Sequence, residues 1–175
     1  MTNKKICMLG AFCVGKTALV RQYVSSIFSD NYLSTVGVKI SKKVVKVSDD
    51  EISLVLWDME GQDHYSTVNL SYLRGANGLL FVIDGTRGES LSVALKLRSD
   101  AIKLLGPDIP HYFLVNKADL EPEWEITAKV LATLENRGIK ILKTSAKTGL
   151  NVEQSFSSLT RDMLEAEPAA APQAP

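Results

Sequence analysis

The chain has 175 residues, with 20 Lys and Arg against 20 Asp and Glu, 45% hydrophobic residues and two cysteines. That length suits a single domain able to bury roughly 70% of its unfolded surface around one core, so neither a disulfide nor a metal staple is required. A formal net charge of zero leaves no basic excess for nucleic acid or an anionic membrane surface, and Cys7 and Cys13 form no disulfide framework, which makes a reducing cytoplasm the expected setting.

Lys4 and Lys5 precede an apolar run, Ile6 to Gly15, with the outline of a secretory leader but no small-x-small cleavage site after it. Ile6 to Leu9 reads instead as a buried strand, and Ala18 to Val24 as the start of a helix. After a polar loop, Phe28 to Gly37, come Val38 to Val47 and Ile52 to Trp57, joined by Ser48, Asp49 and Asp50. A turn that short cannot carry a parallel crossover, so the pair is an antiparallel hairpin. Lys39, Lys42, Lys43 and Lys46 give its first strand either the charge that protects a sheet edge or a face for an acidic partner.

Gly78 to Ile83 is the next strand, followed by helical spacing at Leu91, Leu95, Ile102 and Leu105 that Gly106, Pro107 and Pro110 end. Tyr112 to Val115 is a strand, Glu121 and Pro122 open a helix through Ile126, Val130 and Leu134, and Ile139 to Leu142 is the last strand. Asn151 precedes an amphipathic helix through Val152, Phe156, Leu159 and Met163. This alternation predicts an α/β fold: a six-stranded, mostly parallel sheet with one antiparallel edge strand, flanked by about five helices. Residues 1–167 are expected to form the domain and 168–175, rich in Ala and Pro, a disordered tail. Outside the amino-terminal run the longest fully apolar stretch, Leu79 to Ile83, is far short of the ~20 residues a bilayer crossing needs. Thr2 and the closing Ala-Pro-Gln-Ala-Pro offer no acceptor for myristoyl or prenyl groups, so no intrinsic lipid anchor is expected.

The segment Gly10-Ala11-Phe12-Cys13-Val14-Gly15-Lys16-Thr17 fits GxxxxGK(S/T) directly after a strand and directly before a helix, the setting that pattern requires. Successive backbone N–H groups and a helix N-terminus then converge on one spot, a nest for polyphosphate. Gly10, Cys13, Val14, Gly15, Lys16, Thr17 and Ala18 are the candidate contacts, with Lys16 charged toward the β- and γ-phosphates and the Thr17 hydroxyl placed for Mg2+.

Base choice is read from Asn116-Lys117-Ala118-Asp119, at the carboxyl end of a parallel strand. A carboxylate at Asp119 accepts from N1–H and the 2-amino group of guanine, whereas adenine would leave it desolvated and unpaired. Lys117 can lie over the base, Asn116 can tie two loops together, and Thr144-Ser145-Ala146-Lys147 supplies the second half of the pocket. Asp58, ending the second hairpin strand, can hold Mg2+ through water, and the Gly61 N–H can meet a γ-phosphate oxygen. Gln62 can orient an attacking water, and the Thr35 hydroxyl can complete the Mg2+ shell when a γ-phosphate is present. Gln62, Lys16 and Thr35 are thus the candidate catalytic groups, and Thr17, Thr35 and Asp58 the candidate metal ligands.

These motifs, with Thr35-Val36-Gly37 and Trp57-Asp58-x-x-Gly61-Gln62, make the chain resemble the Ras superfamily of small GTPases from Lys5 to about Leu164, most like its Rab, Ras and Rho branches. The resemblance implies a P-loop NTPase G domain, a Mg2+-dependent GDP/GTP switch with slow hydrolysis, and effector, exchange-factor and GTPase-activating partners at two switch loops. It also implies Phe28 edge-on to guanine, Tyr32 over the phosphates, and a water-orienting role for Gln62. Phe12 and Cys13 stand where relatives usually carry small residues, and Met59-Glu60 replaces the usual Thr-Ala. A nucleotide-binding module with strongly impaired hydrolysis is therefore the alternative reading. Asp119 and the lack of a second substrate domain disfavour a P-loop kinase or ATPase. The missing carboxyl-terminal cysteine departs from the family, through either an unanchored, prokaryotic-like member or a chain that ends before it.

Four residues are open to readings beyond the motifs. Cys13 is a redox thiol or a small packed side chain, Cys7 a core residue, Trp57 a partner-facing or a packed aromatic, and Trp124 a helix-start cap.

Overall fold

The computed structural model describes residues 2–29, 36–61 and 67–166. Strand β1 (Thr2–Gly10) runs through the middle of a sheet and leads into helix α1 (Lys16–Ser25). The hairpin follows as β2 (Val38–Val47) and β3 (Asp50–Met59), with Val47 paired to Asp50. Ser48 takes the left-handed conformation, φ 56°, that a two-residue hairpin turn demands. After a 3-10 turn (Leu70–Leu73) come β4 (Gly78–Asp84), α2 (Gly88–Leu105) and β5 (His111–Asn116). A second 3-10 segment (Ala118–Glu123), α3 (Ala128–Asn136), β6 (Ile141–Lys143) and α4 (Val152–Glu165) complete the described chain.

The six strands lie in the order β2-β3-β1-β4-β5-β6, with β2 antiparallel to β3 and every other pair parallel, as the alternation predicts. Side chains alternate across the pleat and so build two cores, one on each face of the sheet. Ile6, Met8, Leu54, Leu56, Leu80 and Val82 face the cluster that holds Leu19 and Tyr23 of α1 and Phe156 and Leu159 of α4. Tyr23 and Phe156 stack there with ring centroids 3.9 Å apart. Cys7, Leu9, Leu79, Phe81 and Phe113 face the opposite cluster, with Ala94 and Leu97 of α2 and Leu131 and Leu134 of α3. No helix among the described residues is long and apolar enough to cross a membrane.

Two expectations need correction. Pro122 does not open a long helix: it lies inside the short 3-10 segment, and α3 begins only at Ala128. The reason is Thr127, whose hydroxyl accepts from the Val130 N–H at 3.3 Å and so satisfies one orphan donor of the first turn. Trp124 correspondingly caps no helix start; it follows the 3-10 segment, and its indole Nε1 donates to the Lys117 carbonyl at 3.0 Å. The lysine-rich strand is indeed an outer edge, with Lys43 turned inward onto the Tyr23 carbonyl and Glu153.

Five parallel strands, β1, β3, β4, β5 and β6, end along one rim of the sheet, and the chain winds off β1 in both directions. Ligands of open α/β sheets bind outside the carboxyl ends at such a switch point.

Candidate functional site

On that rim the phosphate loop leaves β1 and enters α1 through Gly15, whose φ of 104° is costly for any residue with a side chain. A Cβ on Gly15 would also lie 2.3 Å from the Asn116 side-chain nitrogen. The loop therefore packs against the base-recognition segment with no room to spare. Lys16 is buried, and its ammonium donates to the Gly10 and Ala11 carbonyls at 3.1 and 2.8 Å. Burial pushes that ammonium down to about 8, against the opposing pull of Asp58. Val14 is buried, and Cys13, half-buried, holds a left-handed φ of 58°. Ala18 is half-buried and joins α1 to the first core.

The Thr17 hydroxyl donates to Asp58 Oδ2 at 2.6 Å. Asp58, only 1% exposed, keeps Oδ1 buried with no hydrogen-bond partner. Burial raises its pKa, with the Thr17 hydrogen bond and the Lys16 charge working in the opposite direction. A buried carboxylate oxygen without a donor, next to a hydroxyl, is the oxygen-rich, anionic environment that suits a hard divalent cation.

Two backbone contacts close this end. Gly61 approaches the phosphate loop so closely that a Cβ there would sit 2.5 Å from Phe12 Cα and 3.0 Å from the Ala11 carbonyl oxygen. Glu60 is turned away from the phosphate nest: its N–H donates to the Gly37 carbonyl at 2.8 Å and its carboxylate accepts from the Gly37 N–H at 3.1 Å. Glu60 thus ties the segment before β2 to the end of β3, and Met59 is core. Thr35, Gln62 and Tyr32 lie outside the described residues, as does the 168–175 tail.

At the base end, Asn116 is buried at the end of β5. Its Nδ2 donates to the Val14 carbonyl at 3.0 Å, while its Oδ1 accepts from the Ala146 N–H at 3.2 Å and the Thr144 hydroxyl at 3.3 Å. One amide thus joins the phosphate loop, the Asn-Lys-x-Asp segment and the Thr-Ser-Ala-Lys segment. Ser145 donates through Oγ to Asp119 Oδ1 at 2.6 Å and accepts from the Thr148 N–H at 3.1 Å, leaving Asp119 exposed at the rim. Lys147 is exposed beside it, and Phe28 packs half-buried on the cluster that contains Ala146.

Several residues at the site escape motif reading. Lys117, expected over a base, forms a 2.6 Å ion pair with Asp84 at the buried end of β4. Asp84 Oδ1 also accepts from the Thr86 N–H and hydroxyl at 2.9 and 2.7 Å. The available signal was an acid closing an otherwise apolar strand at its carboxyl end, where burial without a partner is costly. Trp124 buttresses the same corner, and a Cβ on Gly85 would meet its ring at 2.2 Å. Arg87, before α2, donates through Nη1 to the Phe12 carbonyl at 2.9 Å, and no sequence pattern marks it. Trp57 is packed rather than free: it adjoins the second core with the Lys5 ammonium 3.6 Å from its ring centroid. Cys7 is fully buried, which pushes its thiol up to about 12 and leaves it a core residue.

The profile of the Ras family matches residues 5–165. Among curated proteins, the chain is similar to Ras-related protein Rab-13 of Canis lupus familiaris, 32% identical over 161 residues that span 91% of this chain and 79% of that protein. It is likewise 33% identical to Ras-related protein Rab-2B of Dictyostelium discoideum, across 92% of this chain and 80% of the relative. Against Ras-related protein Rab-4B of Homo sapiens the identity is 34%, across 91% and 76%. By that profile and those relatives, the chain belongs to the Ras family, within the Ras superfamily of small GTPases.

Proposed function

We propose that this protein is a cytoplasmic molecular switch that binds GDP and GTP with Mg2+, slowly hydrolyses GTP to GDP and phosphate, and presents two nucleotide-sensitive loops to effectors and regulators. The reading rests above all on Asn116, whose single amide brackets the phosphate loop and both base-recognition segments. Lys16 and the loop N–H groups take the phosphates, and Asp119 takes the guanine edge. Thr17 and Asp58 are the groups that would hold Mg2+, which neutralises phosphate charge when bound. Thr35 and Gly61 read the γ-phosphate, and Gln62 orients the attacking water. Release of those contacts on hydrolysis loosens both loops, and a partner that fits only the ordered loops senses the state.

Base choice provides the test. Asp119→Asn is expected to move preference from GTP toward xanthosine triphosphate by at least about a hundredfold, measured by competition with a fluorescent nucleotide. Unchanged GTP affinity removes Asp119 from the pocket. A second reading, a module that retains nucleotide but hardly hydrolyses it, is favoured by the tight approach of Gly61, the neighbour of Gln62, to Phe12. Single-turnover hydrolysis by the purified protein separates the two.

A further inference from the structure

Arg87 belongs to none of the motifs above, yet it is bonded to the phosphate loop itself. Its Nη1 donates to the carbonyl of Phe12 at 2.9 Å, across 75 positions of sequence. A guanidinium has five N–H donors in a fixed fork, and here the buried Nε has no hydrogen bond. The nearest carboxylate oxygen to Nε, on Glu89, is 3.9 Å away, an ion-pair distance but too long for a hydrogen bond. The side chain as a whole is 34% exposed, so an incoming anion can reach it. With Nε buried, the donors open to that anion are on the Nη groups, and phosphate oxygens are acceptors that a guanidinium fits in a bidentate manner.

We propose that Arg87 supplies, from within the same chain, the positive charge that stabilises the transition state of GTP hydrolysis. This rests on the GTPase reading above. In that reaction the water oxygen bonds to the γ-phosphorus and the bond to the bridging oxygen breaks. The electron pair stays on GDP, and the water proton leaves with the released phosphate. Charge accumulates on the bridging and γ oxygens, where a preorganised guanidinium acts most strongly. Phe12 bears on the same point. Phe12 is 38% exposed on the loop, a bulky neighbour for any arginine arriving from a partner, while its carbonyl accepts from the one already present. The Arg87 charge also reaches Lys16, where it adds to the burial that depresses that ammonium.

The test uses the full chain loaded with GTP and Mg2+ in single-turnover hydrolysis, with GDP affinity measured in parallel. Arg87→Gln removes the charge and leaves a neutral, shorter hydrogen-bonding side chain. It should slow hydrolysis about a hundredfold while GDP affinity stays within about threefold. Arg87→Lys should retain more of the rate than Arg87→Gln, and millimolar guanidinium should partly restore Arg87→Ala. If Arg87→Gln hydrolyses GTP at the wild-type rate, or loses GDP affinity in proportion to rate, Arg87 merely straps α2 to the loop and the proposal falls. A wild-type protein that binds no GTP, or never hydrolyses it, instead defeats the reading under Proposed function and this proposal with it.

Discussion

At the base end of the site, Asn116 gives a donor to Val14 and shares its side-chain oxygen between Ala146 and Thr144. Ser145 and Asp119 are likewise bonded to each other, and Lys117 is locked to Asp84. At the phosphate end the bookkeeping is incomplete: Asp58 Oδ1 is buried without a donor, and Lys16 holds its charge in a dry pocket on two carbonyls. The first half is organised by its own hydrogen bonds, whereas the second leaves a buried carboxylate oxygen without a donor. A buried charge without full compensation raises the free energy of the empty protein, and under the proposed function that excess would be released on binding phosphate and metal.

The largest way to break this contrast is Asn116→Ala. It would leave the Val14 carbonyl, the Ala146 N–H and the Thr144 hydroxyl without partners in a buried site, at a cost of about 3 kcal/mol. Thermal unfolding should show a lower Tm, and GDP affinity should fall by about a hundredfold, because the same amide positions both ends. If only base selectivity changes and the phosphate affinity is kept, the two halves are independent and the clamp is not the organiser.

Asp58→Asn probes the other half in the opposite direction. Burial raises the Asp58 pKa, so its contribution to stability is present at low pH, below the unfolded carboxylate value, and is lost as pH rises through the folded value. At neutral pH a neutral amide, which still accepts from Thr17, should therefore raise the Tm of the nucleotide-free protein by about 3 °C, or roughly 1 kcal/mol. The same change should make GDP affinity nearly insensitive to EDTA, whereas the wild type should weaken sharply when Mg2+ is removed. A lower Tm in Asp58→Asn would mean that the carboxylate is well compensated in the empty protein.

The strand periodicity sufficed for the sheet because every strand has apolar residues on a pleat whose period is two, and four of the six strands, β1, β3, β4 and β5, carry buried residues on both faces. The strand ends then placed Gly10, Asp58, Asn116 and the Thr144-Ser145-Ala146-Lys147 segment on one rim, because parallel strands deliver their carboxyl ends together. What the sequence could not convey were contacts between residues far apart in the chain. Lys117 finds Asp84 33 positions away and Arg87 finds Phe12 75 positions away, so no local spacing encodes either pair. Pro122 misled for the complementary reason: a permissible first-turn proline is a weak signal beside Thr127, whose hydroxyl supplies an actual hydrogen bond.

The smallest predicted effect concerns pH and sharpens the phosphate side. In the empty protein the Lys16 ammonium titrates at about 8, below its ordinary value, because it is buried. Bound polyphosphate must raise that value again, since an adjacent anion favours the charged form. Binding is therefore coupled to proton uptake above pH 8. GDP affinity should be flat from pH 6.5 to 7.5 and should decline above it, approaching tenfold per pH unit by about pH 9.5 if no other group compensates. Isothermal titration calorimetry in buffers of different ionisation enthalpy measures that proton directly. Lys16→Met should weaken GDP at all pH values and flatten the profile. A decline that persists in Lys16→Met would place the titrating group elsewhere, and no decline at all would mean that Lys16 enters the complex already charged.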